Sequence, residues 1–134
     1  MSIDYGKRRT GIAVTDPLQI IAGGLETVDT PKLLGYIKAY TAKEAVERIV
    51  IGMPTQADGT PSENAARVKE FAGRLHKAVE IPIEFYDERF TSVLAHRAML
   101  DGGLRKKERQ NKALVDKISA TIILQSYMES CNTK

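Results

Sequence analysis

With 134 residues, 43% of them hydrophobic and 28% charged, the chain has the size and balance of one water-soluble globular domain that buries its own core without staples. No apolar run approaches the roughly 20 residues of a membrane span, no secretory h-region is present, and the single cysteine, Cys131, has neither a partner nor a nearby histidine, which fits a reducing, cytosolic compartment. Twenty Lys and Arg against 17 Asp and Glu leave a formal charge of +3, which permits a polyanionic partner without requiring one.

In chain order, Ile3 and Tyr5 flank Asp4 in a short first strand. Gly6 breaks it, and Lys7, Arg8 and Arg9 form a basic, polar turn. Thr10–Thr15 reads as the return strand of a hairpin, ended by Asp16-Pro17, because proline supplies no ladder donor and pushes its predecessor out of helix. Ile20–Val28 is a third strand, with Gly23-Gly24 marking a bulge or a close backbone approach. The period then changes: Thr30 is placed as an N-cap with Pro31 at the first helical position, and Leu33, Leu34, Ile37 and Tyr40 recur at helical spacing. The β-branched run Ile49-Val50-Ile51, within 48–52, suits a central parallel strand. A loop over 53–61 leads to Ser62 as cap of a second helix, whose Ala65, Val68, Phe71, Ala72, Leu75 and Ala78 make one apolar stripe. Ile81, Ile83 and Phe85 alternate with polar residues and carry Asp87 and Glu88 out to the carboxyl end of another strand, where sites collect in open α/β sheets. Thr91 or Ser92 caps a helix through Leu100, stopped by Gly102-Gly103. A second basic knot follows, formed by Arg105, Lys106, Lys107, Arg109 and Lys112. The last helix, roughly Asn111 to Met128, is apolar almost all round and so needs something large to pack on. The order β-β-β-α-β-α-β-α-α gives an α/β domain over residues 1–134, built on one mixed sheet.

Some carboxylates are out of place in that scheme. Asp116 shares a helical face with Ala120, Ile123 and Tyr127, and burying it unpaired would cost several kcal/mol, so it calls for an arginine, a lysine or a metal ion. Ser119 and Ala120 are small enough to let that helix sit close to the sheet. Asp4 lies inside a strand, where Asp is depleted. Each acid alone has a plain structural explanation: Asp4 fixing the Gly6 turn, Asp116 pairing with Lys112 or Lys117, Glu88 pairing with Arg89. Together they ask for more, because the alternating elements bring Asp4, Glu88 and Asp116 to one end of the sheet, where like charges repel unless a cation sits among them. Carboxylates without His or Cys suit Mg²⁺ or Mn²⁺ and not zinc. One such ion, or two about 4 Å apart that clamp the attacking and leaving oxygens of a phosphodiester, would complete a hydrolytic site. The two basic knots would then hold phosphate backbone without reading its sequence.

The segments Ile3-Asp4-Tyr5-Gly6, 9–16 (Arg-Thr-Gly-Ile-Ala-Val-Thr-Asp), Ile49-Val50-Ile51-Gly52-Met53-Pro54, 87–92 (Asp-Glu-Arg-Phe-Thr-Ser) and 115–125 make the chain resemble, from Ile3 to about Ser130, the YqgF or RuvX family of pre-16S rRNA nucleases within the RNase H-like superfamily. The resemblance implies an RNase H-like fold, with a five-stranded mixed sheet of three antiparallel strands and then two parallel ones, flanked by helices. It implies a cytoplasmic protein trimming the 5′ end of pre-16S rRNA, on structured RNA or a preribosomal particle, and it selects Asp4, Glu88 and Asp116 as catalytic, metal-binding acids. Arg89 and the two knots are then the nucleic-acid contacts, while Asp87 and Thr91 support the site. One departure is the short lead-in, Met1-Ser2, before Ile3, which makes the first strand unusually short or puts the true start upstream.

Three other activities share these features. The same site would cut four-way DNA junctions, which requires a symmetric dimer rather than a monomer or weak homodimer. Asp4, Gly6 and Gly11 also resemble the phosphate loop of actin-like ATPases, which close two such domains over ATP. A non-catalytic RNA-binding assembly factor would use the knots alone, although no aromatic residues are interleaved with them as a stacking platform. His76 and His96 read as surface residues, and Tyr5 as a core residue more than a base-stacking one.

Overall fold

The hairpin and the strand after it form as the pattern suggests, with shifted ends. The computed structural model describes residues 1–15, 22–53, 63–87 and 112–132. Within these, β1 (Ser2–Asp4), β2 (Arg9–Thr15) and β3 (Ala22–Asp29) run antiparallel, and β4 (Ile49–Met53) and β5 (Ile83–Asp87) run parallel to β1. The sheet order is β3-β2-β1-β4-β5, the RNase H-like arrangement of three antiparallel and then two parallel strands. Helices α1 (Leu33–Lys43), α2 (Glu63–Ala78) and α3 (Lys112–Asn132) complete the described elements. Ile20, Ile21, Ser62, Glu88, the helix expected after Thr91 and most of the second basic knot lie outside the described residues.

The sheet has two unequal faces. Ile3, Ile12, Ile49 and Ile51 share one with Leu33 and Ile37 of α1 and Val68, Phe71 and Leu75 of α2, which makes the main core and bears out both apolar stripes. Tyr5 joins that core, its ring 5.1 Å from that of Phe71. On the other face a smaller cluster forms, with Ala13 of β2 meeting Ala120 and Leu124 of α3. Helix α3 packs on β1, β2 and β3, and Gly24 of β3 lets it approach, since a Cβ there would stand 3.3 Å from Thr121 Oγ1. The close approach expected at Gly23-Gly24 is therefore real at Gly24. The bulge falls beside it: Ile12 pairs with Glu26 and Ala13 with Gly24, which leaves Leu25 as the extra residue.

Three local expectations change. Arg9 is not part of the turn but the first residue of β2. Thr30 does not cap α1. It opens a 3-10 turn (Thr30–Lys32), and its hydroxyl is committed elsewhere, donating to Gly6 O at 2.7 Å. Phe85, expected on the buried face, is 47% exposed, because β5 has only β4 beside it among the described strands. At the other side of β4, the Met1 amino group is tucked against Arg48 O at 3.1 Å, and burial lowers its pKa to about 6. Among the described residues no helix is long and apolar enough to cross a membrane.

Candidate active site

Period two in β1 decides which way Asp4 faces. Ile3 enters the main core, so its neighbours Ser2 and Asp4 belong to the α3 side. Ser2, fully buried, confirms this by donating its hydroxyl to Ala120 O at 2.6 Å. Across the hairpin, Ser2 pairs with Ala13 and Asp4 with Gly11, so Ser2 and Ala13 underlie Ala120 while Asp4 and Gly11 lie one step further along the sheet. On α3 the matching step is one turn back, from Ala120 to Asp116. The contact is tight: a Cβ on Gly11 would stand 2.0 Å from Asp116 O and 2.5 Å from its carbonyl carbon. Asp4 and Asp116 therefore border the same glycine on the same face of the sheet, at the carboxyl end of β1. Along the face that Asp116 shares with Ala120 and Ile123, those two are buried and Asp116 is half-exposed.

Asp116 has a partner from outside its own helix. Arg9 Nε donates to Asp116 Oδ2 at 3.1 Å, with 37% of the arginine side chain and 25% of the aspartate side chain exposed. Arg9 reaches it because it stands two residues before Gly11 in β2 and so shares the α3 face. Of the first basic knot, only Lys7 and Arg8 remain as exposed turn residues. That turn is pinned from both sides. Thr30 N donates to Arg8 O at 2.9 Å and Thr30 Oγ1 to Gly6 O, so the buried Thr10 hydroxyl, 2.9 Å from Thr30 Oγ1, serves as donor to it. From α2, Asn64 Nδ2 donates to Tyr5 O at 3.2 Å. Sequence reasoning passed over Ser2, Thr10, Thr30 and Asn64 as site supports; a small hydroxyl beside each end of the Asp4–Arg9 segment was a signal for Ser2 and Thr10, whereas Thr30 and Asn64 reach it from 24 and 59 positions away.

On β5, Tyr86 faces α3, its hydroxyl 2.6 Å from Ser126 Oγ, and Glu84 accepts from Tyr127 Oη on the same side. Asp87, beside Met53 of β4, alternates to the opposite face. Glu88, Arg89, Thr91, Arg105, Lys106, Lys107 and Arg109 lie outside the described residues, as does the side chain of Lys112. Among the described residues no three His, Cys, Asp or Glu side chains cluster as a metal site; of the three expected acids, Asp4 and Asp116 are described, and both adjoin Gly11. His76 is exposed on α2 as expected.

The family model described as "RuvX: Holliday junction resolvase" matches residues 1–130. Among curated proteins, the chain is 64% identical over 131 residues to one from Phocaeicola vulgatus, covering 97% of this chain and 94% of that one. It is 61% identical to one from Bacteroides thetaiotaomicron (97% and 95%) and 50% identical to one from Porphyromonas gingivalis (97% and 95%). All three carry the name "Putative pre-16S rRNA nuclease". With nearly its whole length matched, and the Asp4–Gly11–Asp116 junction set in a 3-2-1-4-5 sheet, this chain belongs to the RuvX family.

Proposed function

We propose that this chain is a Mg²⁺- or Mn²⁺-dependent nuclease that hydrolyses phosphodiester bonds in the 5′ region of pre-16S rRNA, working in the cytoplasm as one domain, monomeric or weakly dimeric. The observation that carries the reading is the Gly11 contact, which sets the backbone of Asp116 directly over the strand pair that holds Asp4. The names of the relatives support rRNA as substrate.

The donor set fits a hard divalent cation. Asp4 and Asp116 offer carboxylate oxygens, and among the described residues no His or Cys stands with them. The absence of a side chain on Gly11 lets the α3 backbone that carries Asp116 come down onto the strand pair that carries Asp4. Asp4 and Asp116 would hold the ion, with Glu88, two residues after the α3-facing Tyr86, as third ligand. When bound, such an ion supplies Lewis-acid stabilisation of the charge that develops on the phosphate oxygens. The chain's own contribution is placement. Ser2 and Gly11 fix the height of α3 above the sheet, while Thr30 and Asn64 hold the turn so that Lys7 and Arg8 present positive charge beside the acids. Those two cations would position backbone phosphate without regard to base identity.

The test uses a pre-16S RNA 5′ fragment and a four-way DNA junction, each with and without Mn²⁺. Wild-type protein is expected to cut the RNA only with the metal. Asp116→Asn should abolish cutting while leaving the melting temperature within a few degrees, because the ion pair it removes is partly solvated. Full activity in Asp116→Asn would overturn the assignment of the acid. The family description favours DNA as a second substrate, and cutting of the junction alone would move the proposal there.

A further inference from the structure

The three basic residues of the first knot are not equivalent. Lys7 and Arg8 are exposed in the turn, whereas Arg9 is drawn onto the α3 face and bonded to Asp116. We infer that Arg9 is the counter-cation of the metal-free site: its guanidinium carries the charge of Asp116 until a divalent ion arrives, and it competes with that ion for the carboxylate. The inference rests on the metal-dependent reading above.

Asp4 and Asp116 flank Gly11 on a face where the neighbouring Ser2, Ala13 and Ala120 are buried. Gathering carboxylates on a partly dry surface raises the free energy of the ionised forms unless positive charge is placed among them. β2 places positive charge there through Arg9, a residue type that stays protonated at any working pH and whose fork bonds carboxylate oxygen directly. The alternation that places Gly11 and Ala13 under α3 also places Arg9 there, so the pair is a product of strand register and not of a surface side chain finding the nearest acid. Its single bond is to one oxygen, through Nε. A divalent ion entering beside Asp116 meets a unit positive charge a few ångströms away, which weakens its binding. An arginine occupied in this way is also unavailable to phosphate backbone in the metal-free protein, which separates Arg9 from Lys7 and Arg8.

Two measurements without catalysis test this. In the first, metal-free protein is titrated with Mn²⁺ in the absence of nucleic acid, and the affinity is read from the rise in melting temperature. Arg9→Gln is expected to melt lower than wild type without metal and to bind Mn²⁺ about tenfold more tightly, the Coulomb effect of one unit charge on a divalent ion roughly 6 Å away in a water-like dielectric. Arg9→Lys keeps the charge and should bind Mn²⁺ like wild type, and so should Lys7→Gln, which removes an equal charge from the exposed turn. In the second, RNA binding in chelator is followed against salt. Lys7→Gln should lower the slope of log K against log salt by about 0.7–0.9, and Arg9→Gln should leave it unchanged. Weaker or unchanged Mn²⁺ binding by Arg9→Gln, or a drop in its salt slope equal to that of Lys7→Gln, overturns the inference while leaving the nuclease reading in place. Absence of any Mn²⁺ binding by wild type overturns both.

Discussion

Gly11 is where the sheet and the acid-bearing helix meet, and adding one carbon there should separate them. In Gly11→Ala the new Cβ starts 2.0 Å from Asp116 O and must move beyond 3.0 Å, a displacement of about 1 Å that backbone atoms on both sides resist. Overpacking of this kind costs about 1–3 kcal/mol. Lifting α3 also stretches the 2.6 Å Ser2–Ala120 hydrogen bond, worth about 1 kcal/mol. Against this, replacing glycine stiffens the unfolded chain and returns roughly 0.5–1 kcal/mol. The net expectation is a loss of about 2–3 kcal/mol, or roughly 10 °C in melting temperature for a chain of this size. Activity should fall further than stability, by about 100-fold, because a shift near 1 Å misplaces reacting groups. Two sibling substitutions calibrate the result. Gly24→Ala meets Thr121 Oγ1 at 3.3 Å and Lys117 Cβ at 3.4 Å, so its neighbours need give only slightly, and Gly23→Ala meets nothing within 4 Å. Urea denaturation and RNA cleavage should rank the three Gly23, Gly24, Gly11 in order of increasing damage. Equal stability and activity for Gly11→Ala and Gly23→Ala would refute the view that α3 rests on Gly11.

Two further outcomes follow from the turn and from the amino terminus. Thr30→Val keeps the shape but removes the acceptor for the buried Thr10 hydroxyl and the donor to Gly6 O, which should cost about 1–3 kcal/mol in urea denaturation and loosen Lys7 and Arg8; an unchanged midpoint would dismiss the pinning role. In a polypeptide that starts at Met1, the amine has a folded pKa of about 6 against 8.0 unfolded, so burial disfavours its charged form. The associated stability is present above pH 8 and is lost as pH falls through 6, up to about 2–3 kcal/mol. Thermal melts across that window should show the loss, and residues added before Met1 should remove that part of it.

Much of this architecture is legible from period alone. The change from alternation to helical spacing at Thr30 marks the end of the antiparallel strands, and the run Ile49-Val50-Ile51 reads as a buried parallel strand because it is central in the sheet and helices α2 and α3 pack on it. Asp116 is legible for a different reason: a carboxylate heading an apolar line has to be answered by something. Its bond to Arg9 is not legible, because the neighbours a helix reveals by spacing are its own, Lys112 and Lys117, while Arg9 lies 107 positions away. Arg9 was hidden further by its company. In a run of three basic residues nothing marks the one at which the strand begins, and one position of register decides between solvent and α3. Thr30 shows the same limit, since its local preference for a helix start is overridden by two partners in a turn 24 residues earlier. The Gly23-Gly24 pair located a distortion, but which residue goes unpaired depends on β2, and only the pairing of Ala13 with Gly24 assigns it to Leu25.

The meeting of Asp4 and Asp116 depends on two repeats of nearly equal length. Two residues along a strand advance about 6.6 Å, and four along a helix about 6.0 Å, so a helix running against β1 and β2 stays in step with them over one or two repeats. Ser2 and Ala13 match Ala120, and Asp4 and Gly11 match Asp116. The step behind them needs only small residues, and Ala13 and Ala120 are both fully buried. At the step that carries the acids, even alanine is too large, because the helix has drifted onto the strand until its backbone touches Gly11. That drift is also what brings Asp116 within reach of Arg9, one repeat further back on β2. Glycine, arginine and two aspartates thus occupy positions set by one helix-to-strand register. A single-residue insertion in α3 between Asp116 and Ala120 would turn the carboxylate about 100° away from Asp4 while leaving the packing at Ala120 and Leu124 in place.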